Sequence, residues 1–299
     1  MMESGILTMY KPQGFTSFDV IAKLRGMIKI RRLGHTGTLD PMAEGVLPVL
    51  VGSAAKACDI LPNETKAYAA GFRLGTVTDT QDSTGTVLET HPVNVSEADI
   101  LRVLPQFQGE IQQIPPMYSA VQIDGKRLYD LAREGKVIDR PARPVTVYDM
   151  QLTSYDATAG TGTVEITCGK GTYVRTLLHD MGQVLGCGCC MTALTRTAAC
   201  GLTLADCHTF EQVEQAMAAG GIEPLLIPTE KLFEELPALR LNETQTRMYR
   251  NGVKLDLKRL LNVTDAVRYR VYAADAKFIG LAEADFPQGL LRVFKNFEG

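Results

Sequence analysis

The residues best placed to do chemistry sit in one string, Gly34-His35-Thr36-Gly37-Thr38-Leu39-Asp40-Pro41. Glycine admits backbone angles closed to other residues, and proline holds the residue before it extended, so backbone geometry fixes the Asp40 carboxylate in place. Rigid loops of this kind are where catalytic groups concentrate. An aspartate before proline also suits a turn whose side chain bonds nearby amides, and the string alone leaves both readings open. It does argue against phosphate-handling classes. The chain carries no G-x-x-x-x-G-K-S/T and no G-x-G-x-x-G segment, so neither a nucleoside-triphosphate nor a dinucleotide fold is supported. In phosphorylated-aspartate pumps the acid precedes Thr-Gly-Thr, whereas here Asp40 follows Thr36-Gly37-Thr38.

Such a loop needs elements on either side to hold it. Ser17 followed by Phe18, Ile21, Leu24 and Ile28 reads as an amphipathic helix capped by Ser17. After the loop from Arg32 to Leu47, the apolar run Val46 to Val51 reads as a buried strand. Tyr68 to Leu74 alternates as a strand, and Gly75 to Gly85 is a polar loop. Ser96-Glu97-Ala98-Asp99 forms a capping box that opens a helix through Leu104. Val145 to Ser154 and Thr161 to Cys168 read as paired strands, and Tyr173 to Leu185 as a helix. Strands and helices do not alternate regularly, which predicts an α+β fold around a mixed, mainly antiparallel sheet.

The chain has 299 residues, enough for one large domain and one small one. The expected division is 1–228 and 229–299, the second beginning with an acidic linker helix and continuing through the strand-like runs Arg268 to Ala273, Phe278 to Glu283 and Leu290 to Phe294 as a small barrel. Met1 to Tyr10 holds only the short apolar stretch Gly5 to Met9, preceded by Glu3, and no apolar run reaches membrane-spanning length. A cytoplasmic protein is expected. Its seven cysteines are an odd count, and in a reducing compartment disulfides are not the expected framework.

A net charge of −3 argues at first against a nucleic-acid partner. The distribution of that charge argues the other way. Asp206 to Leu236 holds seven acids and one base, Pro237 to Gly299 eleven bases and seven acids, and Lys23 to Arg32 carries Lys23, Arg25, Lys29, Arg31 and Arg32 with no acid. Local fields of this kind steer ligands.

Six motifs in order carry a resemblance over nearly the whole chain. They are Lys11-Pro12-Gln13-Gly14 with Thr16-Ser17; Gly34 to Pro41 continued by Ala43-Glu44-Gly45-Val46-Leu47; Lys66-Ala67-Tyr68; and Leu74-Gly75 with Thr78-Asp79-Thr80 and Asp82. Then come Gln113-Ile114-Pro115-Pro116-Met117-Tyr118-Ser119-Ala120 with Gly125-Lys126-Arg127-Leu128-Tyr129, and Lys170-Gly171-Thr172-Tyr173-Val174-Arg175-Thr176. Together these resemble the TruB family of bacterial tRNA pseudouridine(55) synthases. The resemblance implies a pseudouridine-synthase fold, a T-arm-binding insertion at about 110–146, and a C-terminal PUA-like RNA-binding module, whose clearest string is Phe278-Ile279-Gly280-Leu281-Ala282-Glu283. It implies isomerisation of uridine 55 in the T-loop of elongator tRNAs by a monomer with no obligate protein partner.

That reaction detaches uracil from ribose, rotates it and rejoins it through carbon, with no redox step and no external group, so no cofactor is expected. By resemblance Asp40 is the nucleophilic or charge-stabilising carboxylate. An ionised carboxylate covered by RNA needs a cation beside it, and motif position assigns Arg175. The target base must be flipped out of the folded loop. The resemblance gives Tyr68 stacking on that base and help with the later proton removal, His35 the space among displaced bases, and Tyr173 and Leu194 the apolar wall. Where the family usually reads Gly-Ala-His before the pocket leucine and Arg-Arg after it, this chain has Cys189-Cys190 and Thr195-Arg196, and Gln122 replaces a common lysine. Cys187 and Cys190 have C-x-x-C spacing, with Cys200, Cys207 and His208 nearby, which admits a zinc reading. With no second C-x-x-C or spaced His pair, buried unpaired thiols and no metal are expected.

Overall fold

The computed structural model describes residues 4–123 and 125–298; Glu3, part of the reading of the first residues, lies outside them. The chain opens with β1 (Gly5–Lys11), α1 (Ser17–Ile28), β2 (Leu33–His35), β3 (Glu44–Val51), β4 (Lys66–Leu74) and a hairpin of β5 (Thr76–Thr78) and β6 (Val87–Thr90). It continues through α2 (Glu97–Val103), β7 (Gly109–Gln113), the short strands β8 (Gln122–Ile123) and β9 (Lys126–Arg127), and α3 (Leu128–Arg133). Next come β10 (Arg143–Asp156), β11 (Thr161–Cys168), α4 (Val174–Val184), β12 (Cys189–Ala199), β13 (Leu202–Thr203) and α5 (Phe210–Ala218). The last part holds β14 (Ala238–Arg240), α6 (Glu243–Arg250), β15 (Leu255–Asp256), β16 (Arg268–Tyr272), β17 (Phe278–Asp285) and β18 (Leu290–Asn296).

The larger sheet has the order β1-β3-β12-β4-β11-β10-β7, with β2 and β13 attached to β3 and β12. β3 and β12 run parallel. The other pairings in this sheet are antiparallel, so the sheet is mixed and mainly antiparallel, as the sequence predicts. Val46 to Val51 is a continuous apolar run because β3 is covered on both faces. Leu47, Val49 and Val51 pack with Leu7, Leu24 and Phe210 under α1 and α5. On the other face, Val46 and Leu50 meet Ile6, Phe233, Leu281 and Phe297. The second sheet therefore packs on the first through a shared apolar cluster.

Four expectations are corrected. The cap of α1 is Thr16, whose side chain accepts from the Asp19 amide while Asp19 returns a bond to the Thr16 amide. Phe18, expected on the apolar stripe, is 66% exposed, because the buried stripe runs through Ser17, Val20, Ile21, Leu24 and Ile28 and leaves Phe18 about 100° away from it. The linker helix expected after residue 228 is only a 3-10 segment, Thr229–Phe233. Pro228 and Pro237 bracket that segment, which is too short to repay the cost of nucleating an α-helix; the helix of the acidic stretch is α5, before the expected boundary. The C-terminal sheet, ordered β14-β16-β17-β18-β15, ends in two edges and is a half-barrel rather than a closed barrel. The edge strands β14 and β15 are only three and two residues long.

Candidate active site

Asp40 lies between β2 and β3, in a loop held from several directions. The Leu39 amide donates to Ser17 Oγ at 2.9 Å and the Ala43 amide to the Asp40 carbonyl at 3.1 Å. Gly14 N–H donates to the Pro41 carbonyl at 2.8 Å. Lys11, fully buried, directs Nζ at the carbonyls of Pro12, Phe15 and Pro41. The motif Lys11 to Ser17 thus acts as the clamp of the Asp40 loop. Ser17, expected as a helix cap, serves the loop instead. Ser17→Ala leaves the buried Leu39 amide without an acceptor; we expect a loss of about 1–3 kcal/mol in urea unfolding at unchanged m, together with slower turnover.

Two glycines are required by geometry. Gly37 has φ +92° and a Cβ there would sit 3.1 Å from Lys66 Cε. Gly45 has φ +100° and a Cβ would lie 2.3 Å from the Arg196 carbonyl oxygen. This close approach is what lets β3 and β12 pair in parallel beside the loop.

Arg175 enters from the first turn of α4 and grips Asp40 in a two-pronged contact. Nε lies 2.9 Å from Oδ2 and Nη2 3.2 Å from Oδ1. Two further bonds fix the guanidinium: Nη1 donates to the Thr80 carbonyl and Nη2 to the Tyr118 carbonyl, each at 2.9 Å. Arg175 is 5% exposed and Asp40 37% exposed, so the guanidinium is sunk in protein while the carboxylate opens on a cleft. A second carboxylate stands behind it. Asp82 Oδ2 is 3.8 Å from Arg175 Nε, and Asp82 Oδ1 accepts from the Thr84 amide and from the hydroxyls of Thr80 and Thr84. In the sequence Asp82 stands out only as part of a motif. The paired threonines flanking an aspartate, which can satisfy a buried carboxylate, were the signal that could have found it.

The cleft has a volume of about 260 Å³ and is lined by Asp40, Lys66, Tyr68, Tyr173, Arg175 and Leu194 among others. The structure therefore brings together five of the six residues singled out in the sequence. His35 is not in the lining; it sits on β2 opposite Val49, with Nδ1 buried and unpartnered among the described residues, and burial lowers its pKa. Tyr173 is anchored by Gln113, whose side chain accepts from its amide at 2.7 Å and donates to its carbonyl at 3.0 Å. Burial pushes the Tyr68 phenol up to about 12, partly offset by Arg196. The phenol therefore stays protonated near neutrality. Part of the wall, Ser119 and Ala120, comes from the expected insertion, which carries its own small core of Met117, Leu128 and Leu131.

Lys11 makes a pH prediction. Its folded-state pKa falls to about 8 from the ordinary 10.5, chiefly through burial. The unfolded chain binds the extra proton between those values, so the cost of burying the charge is complete below about pH 8 and disappears as pH rises to 10.5. Compared with Lys11→Met, the native chain should gain stability across that window; parallel unfolding midpoints for the two would contradict it.

The expected departures have definite places. Cys189 and Cys190 are buried at the start of β12, where they cannot reach an RNA, and Thr195 Oγ1 donates to Glu44 at 3.3 Å. Gln122 is exposed. Cys187 is buried as well, whereas Cys200 and Cys207 pack in the cluster between the sheets. The described residues contain no group of three or more His, Cys, Asp or Glu side chains spaced to hold a metal ion. Nor is any helix among them long and apolar enough to cross a membrane.

The mixed sheet, with the paired aspartate and arginine opening on a cleft over it, has the pseudouridine synthase fold, as superposition shows. It superposes on the solved Cbf5-Nop10-Gar1 complex with a TM-score of 0.75, at 23% identity, covering 98% of this chain and 85% of the matched one. A structure of an H/ACA RNP bound to a substrate RNA containing 2'-deoxyuridine gives 0.73 at 21% identity, covering 99% and 85%. The chain belongs to the TruB family: the model described as "TruB family pseudouridylate synthase (N terminal domain)" matches residues 25–174 and "tRNA pseudouridylate synthase B C-terminal domain" matches 175–234. It is 39% identical over 292 residues to tRNA pseudouridine synthase B of Clostridium kluyveri, covering 97% of this chain and 99% of the relative. To the Bacillus subtilis protein of that name it is 40% identical over 260 residues, covering 85% and 84%.

Proposed function

We propose that this chain is an isomerase that converts uridine 55 of the T-loop of elongator tRNAs to pseudouridine. The observation that carries the reading is the two-pronged Asp40–Arg175 pair at a cleft walled by Tyr68, Tyr173 and Leu194. Asp40 supplies the negative oxygen at the bond between base and sugar, and Arg175 holds it there. Tyr68 stacks on the extruded uracil, Tyr173 and Leu194 complete the apolar wall, and His35, outside the cleft, takes the space left among the displaced bases. In this reading the chain works in the cytoplasm as a monomer, without cofactor or protein partner. Residues 1–228 form the catalytic domain, with the insertion at about 110–146 gripping the T-arm, and residues 229–299 form a PUA-like module for RNA.

The exposed bases Lys23, Arg25, Lys29, Arg31 and Arg32 on and after α1 support an RNA partner. A guided synthase working with partner proteins is the rival, since the matched solved chain belongs to a Cbf5-Nop10-Gar1 complex. Identity of 39% over 97% of the chain to a relative named as a tRNA pseudouridine synthase, against 23% to the chain of the Cbf5 complex, favours the first reading. Incubating the purified chain with a T-arm stem-loop labelled with tritium at uracil C5 tests it. We expect tritium release with no other component; absence of release that is restored only by guide RNA or partner proteins would favour the rival.

A further inference from the structure

Among the described residues, Arg196 is the largest side chain that the fold buries completely. Its Nε donates to the Val46 carbonyl at 2.6 Å and Nη2 to the Gly37 carbonyl at 3.3 Å, and neither bond goes to a carboxylate. Nη1 is buried with no partner among the described residues. A buried guanidinium left incompletely paired is expensive where nothing compensates, and β12 could have carried an apolar residue here. Its position gives the reason for it. Arg196 is the direct cross-strand neighbour of Tyr68, and its side chain lies on the same face of the sheet as that of Leu194 two residues earlier. Tyr68 and Leu194 both line the cleft. The free donor of Arg196 is thus held beneath the Asp40 loop, beside the aromatic ring that the cleft presents to substrate.

We propose that Arg196 is a positioning residue that holds the Tyr68 hydroxyl against the extruded base while tying Gly37 of the Asp40 loop to β12. The inference rests on the pseudouridine synthase reading and deepens it. Rejoining uracil through carbon leaves one hydrogen to be removed from that carbon. Tyr68 can take it only as phenolate, its own proton having passed to water; the C–H bonding pair then stays in the ring and the phenol is regenerated. Burial opposes that ionisation, and the nearby positive charge of Arg196 favours it. The other charged or titratable groups around the phenol are Asp40 from the loop, Lys66 from β4, Cys168 from β11, Lys170 and Tyr173 from the segment before α4, and Arg175 from α4. Of these cations, only Arg196 combines direct pairing to Tyr68 with an unused donor among the described residues.

A double-mutant cycle on the full chain tests this: Tyr68→Phe, Arg196→Met and the double variant, read by single-turnover tritium release and by tRNA affinity. We expect Arg196→Met to lose about 10²-fold in rate, the lower range of what a positioned acid or base supplies, with tRNA affinity within about threefold. The double variant should lose clearly less than the product of the two single losses, because both changes act on one hydroxyl and only the release of Gly37 is separate. Losses that multiply would overturn the proposal, as would an Arg196→Met rate equal to wild type. If the methionine variant does not fold, Arg196→Lys, which keeps a buried cation and a donor, carries the same cycle with a smaller loss. A fluorinated tyrosine of lower intrinsic pKa at position 68 adds a second readout. Its rate–pH profile should move to higher pH when Arg196 is replaced, and an unmoved profile would sink the assignment. Failure of the wild-type chain to release tritium at all would instead remove the underlying reading.

Discussion

Asp40→Asn should reduce turnover to less than roughly one ten-thousandth of wild type while leaving tRNA affinity within about tenfold. The swap keeps the size of the side chain and removes its charge. It also spoils the fit to Arg175, because two donors, Nε and Nη2, now point at Asp40 Oδ2 and Oδ1. An amide offers one acceptor and one donor to that fork, so one prong opposes another N–H. The fold should survive, since the carboxylate is 37% exposed and its ion pair is weakened by solvent. Arg175 also retains the Thr80 and Tyr118 carbonyls. Single-turnover tritium release and filter binding of the same tRNA separate the two effects. Appreciable product from the asparagine variant, or from Asp40→Ala, would show that the carboxylate does not perform the reaction.

Replacing Arg175 should cost both activity and stability. Its guanidinium is nearly buried and joins four groups from three separate segments: Asp40, Thr80 with Asp82, and Tyr118. Arg175→Met leaves Asp82 buried without its cation and two carbonyls without donors, for which a loss on the order of 3 kcal/mol is expected. Arg175→Lys restores the charge but, as a point cation, cannot span the same fork. We expect turnover to fall about 10³-fold in both variants, with the lysine variant recovering most of the stability. Urea unfolding alongside single-turnover assays distinguishes the two losses. A lysine variant with wild-type turnover would mean that charge alone, rather than the fork, orients Asp40.

The strands and helices that flank the site were readable from the sequence because their causes are local. Pro41 and Gly37 constrain the backbone of the Asp40 loop within a few residues, and the alternation from Tyr68 to Leu74 follows from one face of β4 being buried. Capping is also local, yet adjacent Thr16 and Ser17 are chemically alike. Which one caps α1 was settled by where the Leu39 amide needed an acceptor. The same limit applies to the C-terminal sheet, whose strands were legible while its open edges depended on which strands meet in space.

By itself, then, the sequence determined the loop that presents Asp40, the type of the elements around it and, through six ordered motifs, the family. Tertiary structure decided which charges meet. Asp40 and Arg175 are separated by 135 positions and Arg196 reaches Gly37 across 159, distances at which only the register of β3, β12 and β4 sets who faces whom. A shift of one residue in that register would turn Tyr68, Leu194 and Arg196 to the opposite face of the sheet. That is why Asp82 behind the pair, the unpaired donor of Arg196 and the place of His35 outside the cleft were not visible in the order of residues. Each depends on contacts made only when the whole sheet has closed around the loop.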